Sequence, residues 1–96
     1  MTTVNLQSYA PIINDPSKGE EILNKIKSCD PSKNVVTVDF IGIVSMTTFC
    51  AKQIFGTLFK ELGSETFLKN IIIKNASDDV YLVIKLGLEG TINEVK

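Results

Sequence analysis

The chain contains no histidine, no arginine and no tryptophan. Without histidine it lacks the commonest general acid–base group and the commonest metal ligand. Without arginine no side chain can clamp a phosphate or carboxylate bidentately. Cysteine is scarce: Cys29 and Cys50 form no CxxC pair and have no histidine with which to share a metal. No apolar run approaches the roughly 20 residues needed to span a bilayer. The opening MTTVNLQSYAPIIND lacks the charged-then-apolar pattern of a secretory leader. These absences lead us to expect a cytoplasmic, non-catalytic protein with reduced thiols and with no cofactor, metal or membrane span. Enzyme chemistry would have to rest on carboxylates, lysines, thiols or hydroxyls, and no nucleophile with an adjacent activating base stands out.

Charge is equally plain. The ten basic residues are all lysine, scattered along the chain, and the net charge is −1. There is no basic patch to attract a nucleic acid. The 96 residues suit one domain, 1–96, with a single modest core, and the 44% hydrophobic content is that of an ordinary globular protein. No internal repeat, linker or low-complexity tract interrupts it.

Hydrophobic periodicity then lays out the elements. Thr3–Ile13 alternates loosely and predicts one strand or a short hairpin. Asp15-Pro16-Ser17 opens a helix, with Ser17 and Glu20 spaced as a capping box. Ile22, Leu23 and Ile26 form its apolar stripe, and Asp30-Pro31-Ser32 ends it near Cys29. Val35–Phe40 is β-branched and apolar, the pattern of a strand covered on both faces. Cys50, Ile54, Leu58 and Leu62, widened by Phe49, Phe55 and Phe59, predict a long helix packed on a sheet and stopped at Gly63-Ser64. A turn at Glu65-Thr66 leads to Ile71-Ile72-Ile73, which reads as a central strand. Asn75–Asp78 caps a third helix running to Gly87, and Gly87 to Lys96 reads as a frayed end or short final strand. The order is β-α-β-α-β-α: a single small α/β domain with helices covering a central sheet.

The most informative stretch is VTVDFIGIVSMTTFCAKQIFGTLFKELG, where an apolar strand turns through Ser45-Met46-Thr47-Thr48 into the long helix. Hydroxyls at a helix start can cap it, and the unpaired N–H groups there also favour a bound anion or phosphate. Thr47 and Thr48 therefore have two readings, an N-cap with its neighbour or a modified, partner-contacting site, and Ser45 shares the choice. Asp39, a carboxylate in an apolar strand, needs a partner or a wet strand end. It could fix the corner hydroxyls or backbone, or lie on a sheet margin. Phe49, Phe55 and Phe59 read as core; one of them left exposed would mark an interaction surface. Asp78-Asp79 serves the helix dipole. Asn75-Ala76-Ser77 matches a glycosylation sequon, which has no use in the cytoplasm.

This strand–corner–helix, with Val38-Asp39-Phe40, Gly42-Ile43, Thr47-Thr48-Phe49, the helix Ile54–Gly63 and the later IIIKN, resembles the STAS-like domains of prokaryotic regulatory proteins. Those are distant relatives of the anti-sigma-factor antagonists, and the resemblance spans roughly residues 17 to 88. In the antagonists the corner reads Asp-Ser-Ser-Gly-Leu, and its serine at the helix start is phosphorylated. Here Met46-Thr47-Thr48-Phe49-Cys50 stands in that place, with no Asp and no Gly. The resemblance implies a non-catalytic regulatory domain that binds a protein partner, a serine/threonine kinase of the histidine-kinase-like ATPase type, in transcriptional control. It also implies phosphorylation at Thr47, Thr48 or Ser45, with Asp39 as a supporting residue. The alternative is a ligand-sensing domain that holds a nucleotide or small anion at the same helix N-terminus.

Overall fold

The computed structural model describes residues 2–94. Strand β1 (Thr2–Asn5) leads through a 3-10 turn to the short strand β2 (Ile12–Ile13) and helix α1 (Pro16–Ser28). Strand β3 (Val36–Asp39) and the short strand β4 (Ser45–Met46) follow. An unbroken helical rod comes next: α2 (Thr48–Ala51), a π segment (Lys52–Gly56) and α3 (Thr57–Leu62). Helix α4 (Ser64–Asn70), strand β5 (Ile71–Lys74) and helix α5 (Asp78–Glu94) complete the described chain.

The main sheet has three parallel strands in the order β1-β3-β5, with Val4 beside Val38 and Val38 beside Ile73. Strand β3 is therefore central and β5 is an edge, against the expectation from its isoleucine run. The order advances in one direction, and two right-handed crossovers that advance together place their helices on the same face. Burial follows that rule. Val4, Val36, Val38 and Ile71 are buried beneath the helices. On the other face Thr3, Asn5, Ile72 and Lys74 are exposed, and only Thr37, sheltered between its neighbours on both flanking strands, is buried. The sheet is thus covered on one face, where the apolar run of β3 had suggested two.

Local chemistry explains most boundaries. At α1 the cap is Asp15, which accepts from the Ser17 N–H at 2.8 Å with Pro16 at the first turn, so the Ser17–Glu20 capping box is not used. The Glu65-Thr66 turn is replaced by α4, whose Phe67 packs edge-on against Phe59 of α3, 5.5 Å between ring centroids. Gly63 separates the two helices with φ 82° and ψ 159°, a conformation almost confined to glycine. Helix α5 continues past Gly87, where a frayed end or strand was expected; Val95 and Lys96 of that expectation lie outside the described residues. The absence of a side chain at Gly87 is what lets α5 lie on the rod: a Cβ there would sit 2.9 Å from the Lys52 backbone nitrogen.

The π segment has a register reason. At 3.6 residues per turn, apolar positions spaced by four drift steadily round a helix. The wider i→i+5 turns of Lys52–Gly56 absorb that drift. Cys50, Ile54 and Leu58 stay buried with Phe55, whose ring lies 6.0 Å from that of Phe40. Among the described residues no helix is long and apolar enough to cross a membrane.

Candidate functional site

The three main strands are parallel, so the loops leaving β1, β3 and β5 gather at one end of the sheet. Phe40 to Ile43 forms a β-turn closed by Ile43 N–H donating to the Phe40 carbonyl at 2.9 Å. Gly42 occupies its third position with φ 84°, which makes it a type II turn and leaves Ile41 at the outer corner. The chain then pairs with the loop after β1: Val44 N–H donates to the Pro11 carbonyl at 2.7 Å, and β4 lies parallel to β2 with Ser45 beside Ile12 and Met46 beside Ile13. Ile13 and Met46 point inward, while Ile12 and Ser45 face solvent.

The hydroxyl corner follows directly. Thr47 N–H donates to the Ile13 carbonyl at 3.0 Å, and Thr47 Oγ1 accepts from Cys50 N–H at 3.2 Å. With φ −73° and ψ 150°, Thr47 is the N-cap of the rod. Thr48 is the first helical residue; its hydroxyl is exposed and takes part in no cap bond. Ser45, Thr47 and Thr48 therefore share one exposed corner, and the hydrogen bond assigns the capping role to Thr47.

Asp39 sits at the end of β3 and serves the neighbouring backbone and an asparagine instead of the hydroxyls. Its Oδ1 accepts from Asn75 Nδ2 at 2.9 Å and from Ile41 N–H at 3.0 Å. Asn75, itself at φ 60°, begins the turn into α5, whose N-cap Ser77 accepts from Val80 N–H at 3.2 Å. The Asn75 bond first, then the Ile41 N–H and the nearby Lys74 charge, hold the Asp39 carboxyl below its ordinary value. Asp39 thus clips the loop after β3 to the loop after β5.

Around this corner stand large apolar side chains in water: Val44 is 65% exposed, Phe49 61%, Ile41 46% and Ile12 44%. Of the three helix phenylalanines, Phe55 is buried, Phe59 half-buried and Phe49 outward. From Phe49 an open groove of about 350 Å³ runs along the rod past Gly56 to Lys60. Sequence reasoning missed Ile12, Ile41 and Val44 as surface residues. The available signal was the run Phe40-Ile41-Gly42-Ile43-Val44: a glycine turn in an apolar run cannot direct every side chain inward. Asn75 carried no signal beyond its tendency to occupy turns. No group of three or more histidine, cysteine, aspartate or glutamate residues that could hold a metal occurs among the described residues.

Neither a curated protein nor a solved structure matches the chain. A family profile does, over residues 18–81, which takes in α1, β3, the corner, the rod, β5 and the start of α5. With this match and the parallel sheet behind its strand–corner–helix, the chain belongs to the family described as STAS-like domain of unknown function (DUF4325).

Proposed function

We propose that this domain is a non-catalytic regulatory module that binds a protein partner through the corner at Gly42–Thr48 and the adjoining exposed side of the rod. The observation that carries the reading is the exposure of Ile12, Ile41, Val44 and Phe49 around three exposed hydroxyl residues, Ser45, Thr47 and Thr48. Apolar side chains grouped in this way, at a rim of polar groups, are the usual mark of a protein-contact surface. The partner we favour, by likeness to the anti-sigma-factor antagonists, is a serine/threonine kinase of the histidine-kinase-like ATPase type.

In that reading Thr48 is the acceptor. The γ-phosphoryl group of ATP passes to Thr48 Oγ1, ADP leaves, and the hydroxyl proton goes to the kinase. Thr47 keeps its capping bond throughout. The phosphate adds roughly −1.5 to −2 charge at neutral pH. A helix N-terminus tolerates that charge, so the rod persists while the contact surface becomes repulsive to acidic groups. Release of the partner then needs no change of fold.

The ligand-sensing alternative has less behind it. Thr47 already occupies one of the N–H donors at the head of the rod. The order β1-β3-β5 also lacks the reversal at which open α/β sheets form a ligand crevice.

The test is a tagged pull-down from the native host with wild-type protein and a Val44→Ser/Phe49→Ser variant. Recovery of an ATPase-type kinase by the wild type and its loss from the variant would support the reading. Equal recovery by both would move the contact surface elsewhere. No partner, together with a melting temperature that rises on adding a nucleotide, would favour the alternative.

A further inference from the structure

The two edges of the main sheet are finished differently. In β5, Lys74 presents its carbonyl to Phe40 of β3, so alternation turns the main-chain groups of Ile71 and Ile73 outward. The chain itself covers half of these: Ile71 N–H donates to the Phe67 carbonyl, and the Ile73 carbonyl accepts from the Tyr81 hydroxyl at 3.1 Å. In β1, Thr2 and Leu6 donate toward β3, to Val35 and Asp39. Alternation therefore turns Thr3 and Asn5 outward, with two N–H and two C=O groups. Among the described residues none of the four has a hydrogen-bond partner.

Edge strands are normally blunted by lysine, proline, a bulge or a covering element. β1 (Thr2-Thr3-Val4-Asn5) has no such residue, and both outward residues are exposed. No charged side chain occurs anywhere from Thr2 to Asn14. An edge of this kind meets its own copy without like-charge repulsion.

We infer that the open edge of β1 is a homodimer interface, in which β1 of two copies pair antiparallel about a two-fold axis at Val4. The spacing is self-complementary. Thr3 stands opposite Asn5 of the partner subunit, and the pair exchanges both N–H···O=C bonds; the reciprocal pair does the same. Val4 faces its own copy as a non-hydrogen-bonded pair, where side chains approach closest. The result is a continuous six-stranded sheet with both helical layers on one side. The groups that pair belong to β1, and none belongs to the corner surface at Gly42–Thr48, so the inference stands apart from the proposed function.

Proline isolates the interaction, because the Thr3 N–H points outward and Thr3→Pro removes an edge donor without touching the ladder to β3. Thr3→Val keeps that donor and serves as the control. Sedimentation across a dilution series should show the wild type and Thr3→Val moving from 10.6 kDa toward twice that mass. Thr3→Pro should stay monomeric with an unchanged circular dichroism spectrum. Wild type that is monomeric at every concentration, or Thr3→Pro that dimerises equally, overturns the inference. Should Thr3→Pro fail to fold, amide exchange on the wild type decides. Protection at Thr3 and Asn5 that grows with concentration supports the dimer; exchange independent of concentration refutes it.

Discussion

Asn75 donates through Nδ2 to Asp39 Oδ1 at 2.9 Å, joining the end of β3 to the turn that leads into α5. The same carboxylate oxygen holds the Ile41 N–H and thereby sets the second residue of the β-turn that presents the candidate surface. The surface is therefore supported from a strand that lies thirty-odd residues away in sequence but adjacent in the sheet.

That relationship has a pH signature. The Asp39 carboxyl titrates lower in the folded protein than in the unfolded chain. Its contribution to stability is fully present above the ordinary carboxylate range and is lost as pH falls through the lowered folded value. Urea unfolding followed from neutral to strongly acidic pH should show this acid-side loss in the wild type. In Asp39→Asn that part of the dependence should be smaller, and exchange of the Ile41 amide should be faster at neutral pH.

Two glycines at packed positions should respond unequally to alanine. A Cβ at Gly19 meets the carboxamide of Gln53, the far end of a flexible side chain that can swing away at the loss of its bond to the Pro16 carbonyl. That bond is worth about 1 kcal/mol. A Cβ at Gly87 meets main-chain atoms of Ala51 and Lys52, which cannot move without parting α5 from the rod. Overpacking of that kind costs about 1–3 kcal/mol. Denaturant titration should rank Gly87→Ala as the more destabilised variant.

The adjacent threonines should separate by assay. Thr47→Ala removes the N-cap acceptor for Cys50 N–H and should cost about 1 kcal/mol of stability. Thr48→Ala, at an exposed first-turn position with no cap bond, should change stability by no more than about 0.5 kcal/mol. In a reaction with the proposed partner kinase and radiolabelled ATP, Thr48→Ala should abolish incorporation. Retained incorporation in that variant would move the acceptor to Thr47 or Ser45.

Val44→Ser and Phe49→Ser should leave the unfolding midpoint close to that of the wild type, because both side chains already stand mostly in water. Their effect should fall on partner affinity, measured by titration calorimetry with the recovered partner. A large loss of stability in either variant would show that the side chain is packed, and would remove it from the contact surface.

Helices α1 and α5, the rod and β3 were readable from periodicity because each carries an apolar stripe or a β-branched run that favours one local structure. The hydroxyl corner was readable as a helix start for the same local reason. The roles within it were not, since Thr47 and Thr48 are equivalent caps until the ψ of one and the helical φ and ψ of the other are known. Helix α4 escaped because Ser64–Asn70 is short and is held by Phe67 on Phe59, a contact between elements. Hydrophobicity also misplaced Ile41 and Val44, which share an apolar run with buried Phe40 and Ile43 and differ from them only in which way a glycine turn sends the chain.

Composition and local pattern were enough for the α/β class, the order of the main elements and the place of the corner, because these depend on interactions a few residues apart. Strand order was decided only by tertiary structure. Nothing in Val36–Asp39 or Ile71–Lys74 says which of them is central. Once the order is β1-β3-β5, chain handedness puts the crossover helices on one face, leaves the other face and the β1 edge in water, and brings Asp39 to Asn75. Those are long-range consequences of how strands pair, and no local propensity contains them.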